Sequence, residues 1–133
     1  MPTDGSRVLL DTNVAIALIR EEADALNWIS GFDQSYVSTV AVGELYFGVF
    51  KSKLQETNMK AVQILEAKCT VLTVTLETSR LYGEIKQQLR TKGRPIPDND
   101  IWIAATARQH NLPLGSRDGH FDYIEGIRRV LWK

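Results

Sequence analysis

At 133 residues the chain has the length of one domain and can bury a sizeable core. Apolar residues make up 44% and charged residues 24%, and 16 lysines and arginines balance 16 aspartates and glutamates, which excludes a disordered chain and a uniformly basic nucleic-acid binder. A single cysteine, Cys69, excludes an internal disulfide, no apolar run approaches the roughly 20 residues that span a bilayer, and the polar start Met1-Pro-Thr-Asp-Gly-Ser-Arg7 is unlike a signal peptide, so a cytoplasmic location is expected.

In chain order, the run Arg7-Val-Leu-Leu10 predicts a buried strand, with Asp11-Thr12-Asn13 as the turn after it. Helices follow over 14–20 and 23–30, the second ending near Gly31. Tyr36-Val-Ser38 reads as a short strand, and Thr39 as the N-cap of a helix over about 40–51. A helix over 55–67 places Met59, Val62, Ile64 and Leu65 along its apolar side. The β-branched run 70–74 predicts a strand, and Thr78 then opens a helix with Leu81, Ile85 and Leu89 on one core stripe. The segment 91–97 holds Gly93, Pro95 and Pro97 and reads as a loop, followed by a mostly apolar, buried helix from the Asp98-Asn99-Asp100 segment to about His110. A strand over 112–116, a loop over 117–121 and a last strand over 129–132 complete the chain. Alternating strands and helices with no linker or repeat predict one α/β domain over 1–133, a three-layer α/β/α sandwich with a mostly parallel central sheet.

Four acids stand where core is expected. Asp11 separates two apolar runs, Glu44 is the only charged residue between Asp33 and Lys51, Asp100 opens Ile101-Trp-Ile-Ala-Ala105, and Asp118 follows Leu112-Pro-Leu-Gly-Ser116. Taken singly, Asp11 and Asp100 could be helix caps, Glu44 could face solvent and Asp118 could be a turn residue. Together they are costly to bury unless a cation lies between them. Carboxylates without thiolates suit Mg²⁺ or Mn²⁺ better than zinc, and such a cation can promote phosphodiester hydrolysis. His110, at a helix end, and His120, in a loop, read as structural or surface residues.

The arrangement resembles the PIN domain, specifically the VapC-type toxin ribonucleases of type II toxin–antitoxin pairs. Leu9-Leu-Asp11-Thr12-Asn13, Val42-Gly-Glu44-Leu45 with Gly48, Asn99-Asp100-Ile-Trp-Ile-Ala-Ala-Thr-Ala107 and Leu114-Gly-Ser116-Arg-Asp118-Gly-His120-Phe121 match its four motifs in order. The resemblance implies an Mg²⁺-dependent endoribonuclease, with Mn²⁺ able to substitute, acting on RNA such as tRNA or rRNA. It implies Asp11 and Asp100 as metal ligands, with Glu44 and Asp118 completing the acidic pocket and possible ligands themselves. Thr12, Asn13 and Ser116 are the implied polar neighbours that orient the carboxylates. A cognate antitoxin and a homodimer are the implied partners, and the aromatic segment Leu45-Tyr-Phe-Gly-Val-Phe50 is either core or the groove for them. Two features depart from the pattern: Gly115 replaces a larger aliphatic residue, and Asp98 adds an acid, read as a turn or cap residue. Basic residues must flank an acidic pocket that takes RNA; Lys51, Lys53, Arg90–Arg94, Arg117 and Arg128–Arg129 are candidates, with the 90–94 loop first. Competing readings are a haloacid dehalogenase-like phosphatase, which needs a second Asp where this chain has Asn13, and a PIN-like module that binds RNA or protein without cutting.

Overall fold

A computed structural model of the chain describes residues 6–130. Strand β1 (Arg7–Leu10) lies at the centre of a five-stranded sheet in the order β3-β2-β1-β4-β5, with β2 (Gln34–Ser38), β3 (Thr70–Leu72), β4 (Leu114–Gly115) and β5 (Arg129–Val130). All four pairings are parallel; Leu9 registers with Tyr36 of β2 and with Leu114 of β4. Parallel strands need crossover connections, and here the helices that supply them cover both faces. The helices are α1 (Thr12–Ile19), α2 (Ala23–Ile29), α3 (Thr39–Phe50), α4 (Gln55–Lys68), α5 (Leu76–Thr91) and α6 (Asp98–His110).

The side-chain alternation of β1 separates two cores. Leu9 packs with Ala41 of α3, the stripe Leu81, Ile85 and Leu89 of α5, and Ile103, Ala104 and Ala107 of α6. Val8 and Leu10 point the other way, against Val14, Leu18, Trp28 and Ile29 of α1 and α2. A strand buried on both faces must be apolar throughout, which is why 8–10 carries no polar residue. Helix α4 is held by a satellite cluster in which Val62 and Leu65 meet Ala15, Leu45 and Val49. Among the described residues no helix is long and apolar enough to cross a membrane.

Several boundaries differ from expectation. No turn separates β1 from α1: Asp11 ends the strand and caps the helix at once, its carboxylate accepting from the Val14 N–H at 2.8 Å. Ser38, not Thr39, caps α3, accepting from the Ala41 N–H at 3.1 Å. Helix α5 starts at Leu76, because Thr75 and Thr78 form a reciprocal capping box. The expected strand 70–74 stops at Leu72 and the expected strand 112–116 shrinks to Leu114–Gly115, since parallel pairing reaches only that far. The expected loop 117–121 contains a short 3-10 turn, Gly119–Tyr123. Of the last expected strand, residues 131 and 132 lie outside the described residues. Ile64 leaves the apolar side of α4 and is 55% exposed. Gly115 has a packing reason: a Cβ there would lie 2.6 Å from Trp28 Cη2, so the α2 indole fills the space an aliphatic side chain would take.

Candidate active site

Connections turn one way from β1 to β2 and β3, and the other way to β4 and β5, so the sheet reverses between β1 and β4. In open parallel sheets ligands bind beyond the carboxyl ends of the strands at such a reversal. Asp11 follows β1 there, and Ser116 and Asp118 follow β4. The Asp11 N–H donates to the Gly115 carbonyl at 3.1 Å, which ties the two strand ends together.

A cavity of about 400 Å³ opens at this point, lined by Asp11, Thr12, Asn13, Glu44, Pro97, Asp98, Asn99, Asp100 and Asp118. The acids expected from the sequence thus converge from four separate elements. Each is held differently. Asp11 is buried, accepts from the Val14 N–H and is hydrogen-bonded to the Ser116 hydroxyl. The fully buried Ser116 Oγ in turn accepts from the Asp118 N–H at 2.9 Å, so one hydroxyl sets the spacing of two acids. Glu44, reached one turn into α3, receives Thr12 Oγ1–H on Oε1 and Asn99 Nδ2–H on Oε2, the latter at 3.2 Å. Asp100 lies in the first turn of α6, where the helix dipole favours negative charge. Asn13 is exposed at the rim, and Asp98 turns to Lys86 and Tyr82, both at 3.0 Å from its Oδ1.

His120 reads from the sequence as a structural or surface residue, and the structure brings it beside the site. The 3-10 turn after Asp118 swings its ring between two acids: Nε2 lies 3.1 Å from Asp100 Oδ2 and Nδ1 lies 3.2 Å from Asp118 Oδ1. Nε2 is buried and has no aligned hydrogen-bond partner despite that proximity. Its sequence signal is its place in the fourth motif two residues after Asp118, a spacing that becomes meaningful once the backbone turns tightly.

The electrostatics match a site built for added positive charge. Burial is the main cause raising the Asp11 carboxyl pKa; its hydrogen bonds to Ser116 and Val14 oppose it, and Asp118 adds to it. Burial likewise raises that of Asp100; His120 opposes this, and Glu44, Asp11 and Asp118 reinforce it. The ligand atoms of Asp100, Asp118 and His120 all lie within 4.8 Å of one another. A Mg²⁺-sized cation with oxygen ligands at about 2.1 Å requires separations of that order or less. Four carboxylates lining one cavity, those of Asp11, Glu44, Asp100 and Asp118, with the His120 ring beside the last two, therefore fit a divalent cation.

The basic candidates divide. Arg117 lines a cleft adjoining the cavity. Of the 90–94 loop, Lys92 donates to the Tyr123 carbonyl at 3.2 Å and Arg94 stacks on the Tyr123 ring at 4.3 Å. Arg129 forms a two-pronged pair with Asp122, both contacts at 2.8 Å. On α3, Leu45 and Val49 are core, while Phe47 and Phe50 are 66% and 58% exposed.

The PIN domain model matches residues 8–127. The chain is 33% identical to Ribonuclease VapC2 of Haemophilus influenzae over 131 residues, covering 95% of this chain and 98% of that one. It is 26% identical to the tRNA(fMet)-specific endonuclease VapC of Shigella flexneri over 129 residues, again covering 95% and 98%. The crystal structure of VapBC2 from Rickettsia felis, bound to a DNA fragment from its promoter, matches with a TM-score of 0.88 at 25% identity, over 96% of this chain and 99% of that one.

Proposed function

The chain belongs to the PIN domain family, and we propose that it is the metal-dependent endoribonuclease toxin of a type II toxin–antitoxin pair, a single domain over 1–133 acting in the cytoplasm. The observation that carries this reading is the convergence of Asp11, Glu44, Asp100 and Asp118 in one cavity at the reversal point of the sheet. The kinship with VapC ribonucleases supports RNA as substrate, and the Shigella relative supports tRNA, with rRNA as the other class.

Asp11 and Asp100 would hold the cation, Mg²⁺ with Mn²⁺ able to replace it, and Glu44 and Asp118, the latter with His120 beside it, would complete the acidic pocket as possible further ligands. When bound, the cation supplies Lewis-acid neutralisation of phosphate charge and activation of water. Glu44 receives a hydrogen bond on each carboxylate oxygen, so its remaining lone pairs are aimed and it orients the attacking water. Asp11 is fixed for its role by the Val14 N–H and Ser116. In hydrolysis the water oxygen bonds to phosphorus as the bond to the leaving ribose oxygen breaks, and these fixed carboxylates spare the reorganisation that solvent would require.

The antitoxin is assigned to the groove between α1 and α3, where Ile16, Leu45, Phe47, Val49 and Val62 give an apolar wall. That groove shares Thr12, Asn13, Glu44 and Asn99 with the acidic cavity, so a helix lying in it can place a basic side chain among the acids. The VapBC complex of the Rickettsia relative supports such a partner. A homodimer, using the exposed aromatic end of α3, completes the assignment. The direct test incubates antitoxin-free protein with total cellular RNA in Mg²⁺ or Mn²⁺ and then in chelator. Cleavage that survives chelation, or both Asp11→Asn and Asp100→Asn, refutes the reading; RNA binding without cleavage supports the non-cutting alternative.

A further inference from the structure

Among the described residues the acidic cavity has no lysine or arginine in its lining. A polyanion entering it needs positive charge beside it, and two continuations of the cavity differ in what they offer. The α1–α3 groove carries an apolar strip, Ile16, Ile19, Leu45, Phe47, Val49 and Val62, among polar side chains; of its two cations Arg20 is shared with the second continuation, and Lys51 sits 5.0 Å over the Phe47 ring. The second continuation is a cleft of about 520 Å³ between the end of α1 and the loop after β4. It shares Asp11, Asn13 and Asp118 with the cavity and is lined further by Arg20, Glu22 and Arg117. Its wall is polar apart from Ile16 and Ala17, and both arginines are exposed. Arg20 closes α1 as its C-cap residue, and Arg117 lies in the loop after β4 between Ser116 and Asp118, so both are anchored beside the acids. Arg117 is also near enough to Asp11 to offset part of the burial that raises the carboxyl pKa. Guanidinium groups are the side chains best matched to phosphate oxygens.

We infer that the RNA strand leaves the acidic cavity through this cleft, with Arg20 and Arg117 holding phosphates that flank the scissile one. The inference rests on the ribonuclease reading above. It separates the two partners by chemistry: the polar cleft takes the nucleic-acid backbone, and the apolar groove takes the antitoxin. Arg20, which nothing in the sequence singled out, borders both and is a positioning residue for the substrate.

The test has two arms. In the first, an Asp100→Asn protein binds a fluorescein-labelled single-stranded oligoribonucleotide, followed by anisotropy across a salt series. Arg20→Ala with Arg117→Ala weakens binding at least about tenfold and lowers the slope of log K against log salt by about 1.4, two single-strand phosphate contacts. Arg20→Lys with Arg117→Lys keeps the slope, and Lys51→Ala changes neither quantity. In the second arm, on otherwise wild-type protein, the double alanine variant raises KM about tenfold and leaves kcat within about twofold. Unchanged affinity and slope in a protein whose wild type cleaves RNA overturns the inference alone. So does a larger effect from Lys51→Ala, or a double variant that loses antitoxin binding but keeps RNA. A wild type that neither binds nor cleaves RNA overturns the underlying reading as well.

Discussion

His120 shows how one residue acquires meaning from its neighbours. Its ring lies 3.1 Å from Asp100 and 3.2 Å from Asp118, so replacing it removes the spacer between two like charges. His120→Ala is expected to weaken divalent-cation affinity about ten- to hundredfold, read by titration calorimetry, and unchanged affinity would show that it does not orient the carboxylates. Asp100→Asn and Asp118→Asn are each expected to lower RNA cleavage at least about a hundredfold, since the transition-state charge loses its counter-ion; initial rates at saturating RNA check this. Asp11 carries a different prediction. Burial raises its folded-state pKa, so metal-free folded protein takes up a proton more readily than the unfolded chain does. The ionised residue therefore costs stability above the raised pKa, and that cost disappears as pH falls below the unfolded carboxylate value. In chelator, Asp11→Asn should melt above wild type at pH 7, with the gap closing toward about pH 3.9 and below. A constant gap across that range would show that charge burial is not its cause.

At the scale of elements, caps and close packing decide where the site residues stand. Ser38 and Thr39 are both good cap residues, and only the end of β2 chooses between them. Ser38→Ala is expected to cost about 1 kcal/mol, measured by urea denaturation, because the Ala41 N–H at the start of the Glu44 helix loses its acceptor. Gly115 and Trp28 form a matched pair across β4 and α2. Gly115→Ala is expected to cost about 1–3 kcal/mol through overpacking. Trp28→Leu should recover part of that loss in the double variant, and strict additivity would refute the contact. Regular stretches were legible because periodicity reports burial: Leu81, Ile85 and Leu89 line one face of α5 and are buried as their spacing required. Ile64 was misjudged because α4 is covered on a narrow side only, by Ala15, Leu45 and Val49, which leaves room for Val62 and Leu65 but not for a third aliphatic row.

Across the whole molecule, the cavity joins β1, α3, α6 and the loop after β4, so whatever neutralises it braces elements far apart in the chain. Cation binding is expected to raise the melting temperature. Its stabilisation is about 2.7 kcal/mol at a cation concentration one hundred times Kd. Differential scanning calorimetry with Mg²⁺, Mn²⁺ or chelator checks the expectation, and Asp100→Asn should abolish the response; an equal rise in that variant would place the stabilising ion elsewhere.

The sequence alone determined the alternation of strands and helices, the buried central strand and the four acids of the cavity, because each is encoded locally by hydrophobic run length, spacing and isolated charge. It also carried the kinship that gives those acids a common purpose. Tertiary structure decided what no local pattern holds. The reversal of the sheet between β1 and β4 brought Asp11 beside Asp118, and the tight 3-10 turn put His120 between Asp100 and Asp118. The packing of Trp28 explained Gly115, and the end of α1 set Arg20 beside the acidic cavity. These depend on contacts between residues distant in sequence, and such contacts exist only once the chain has folded.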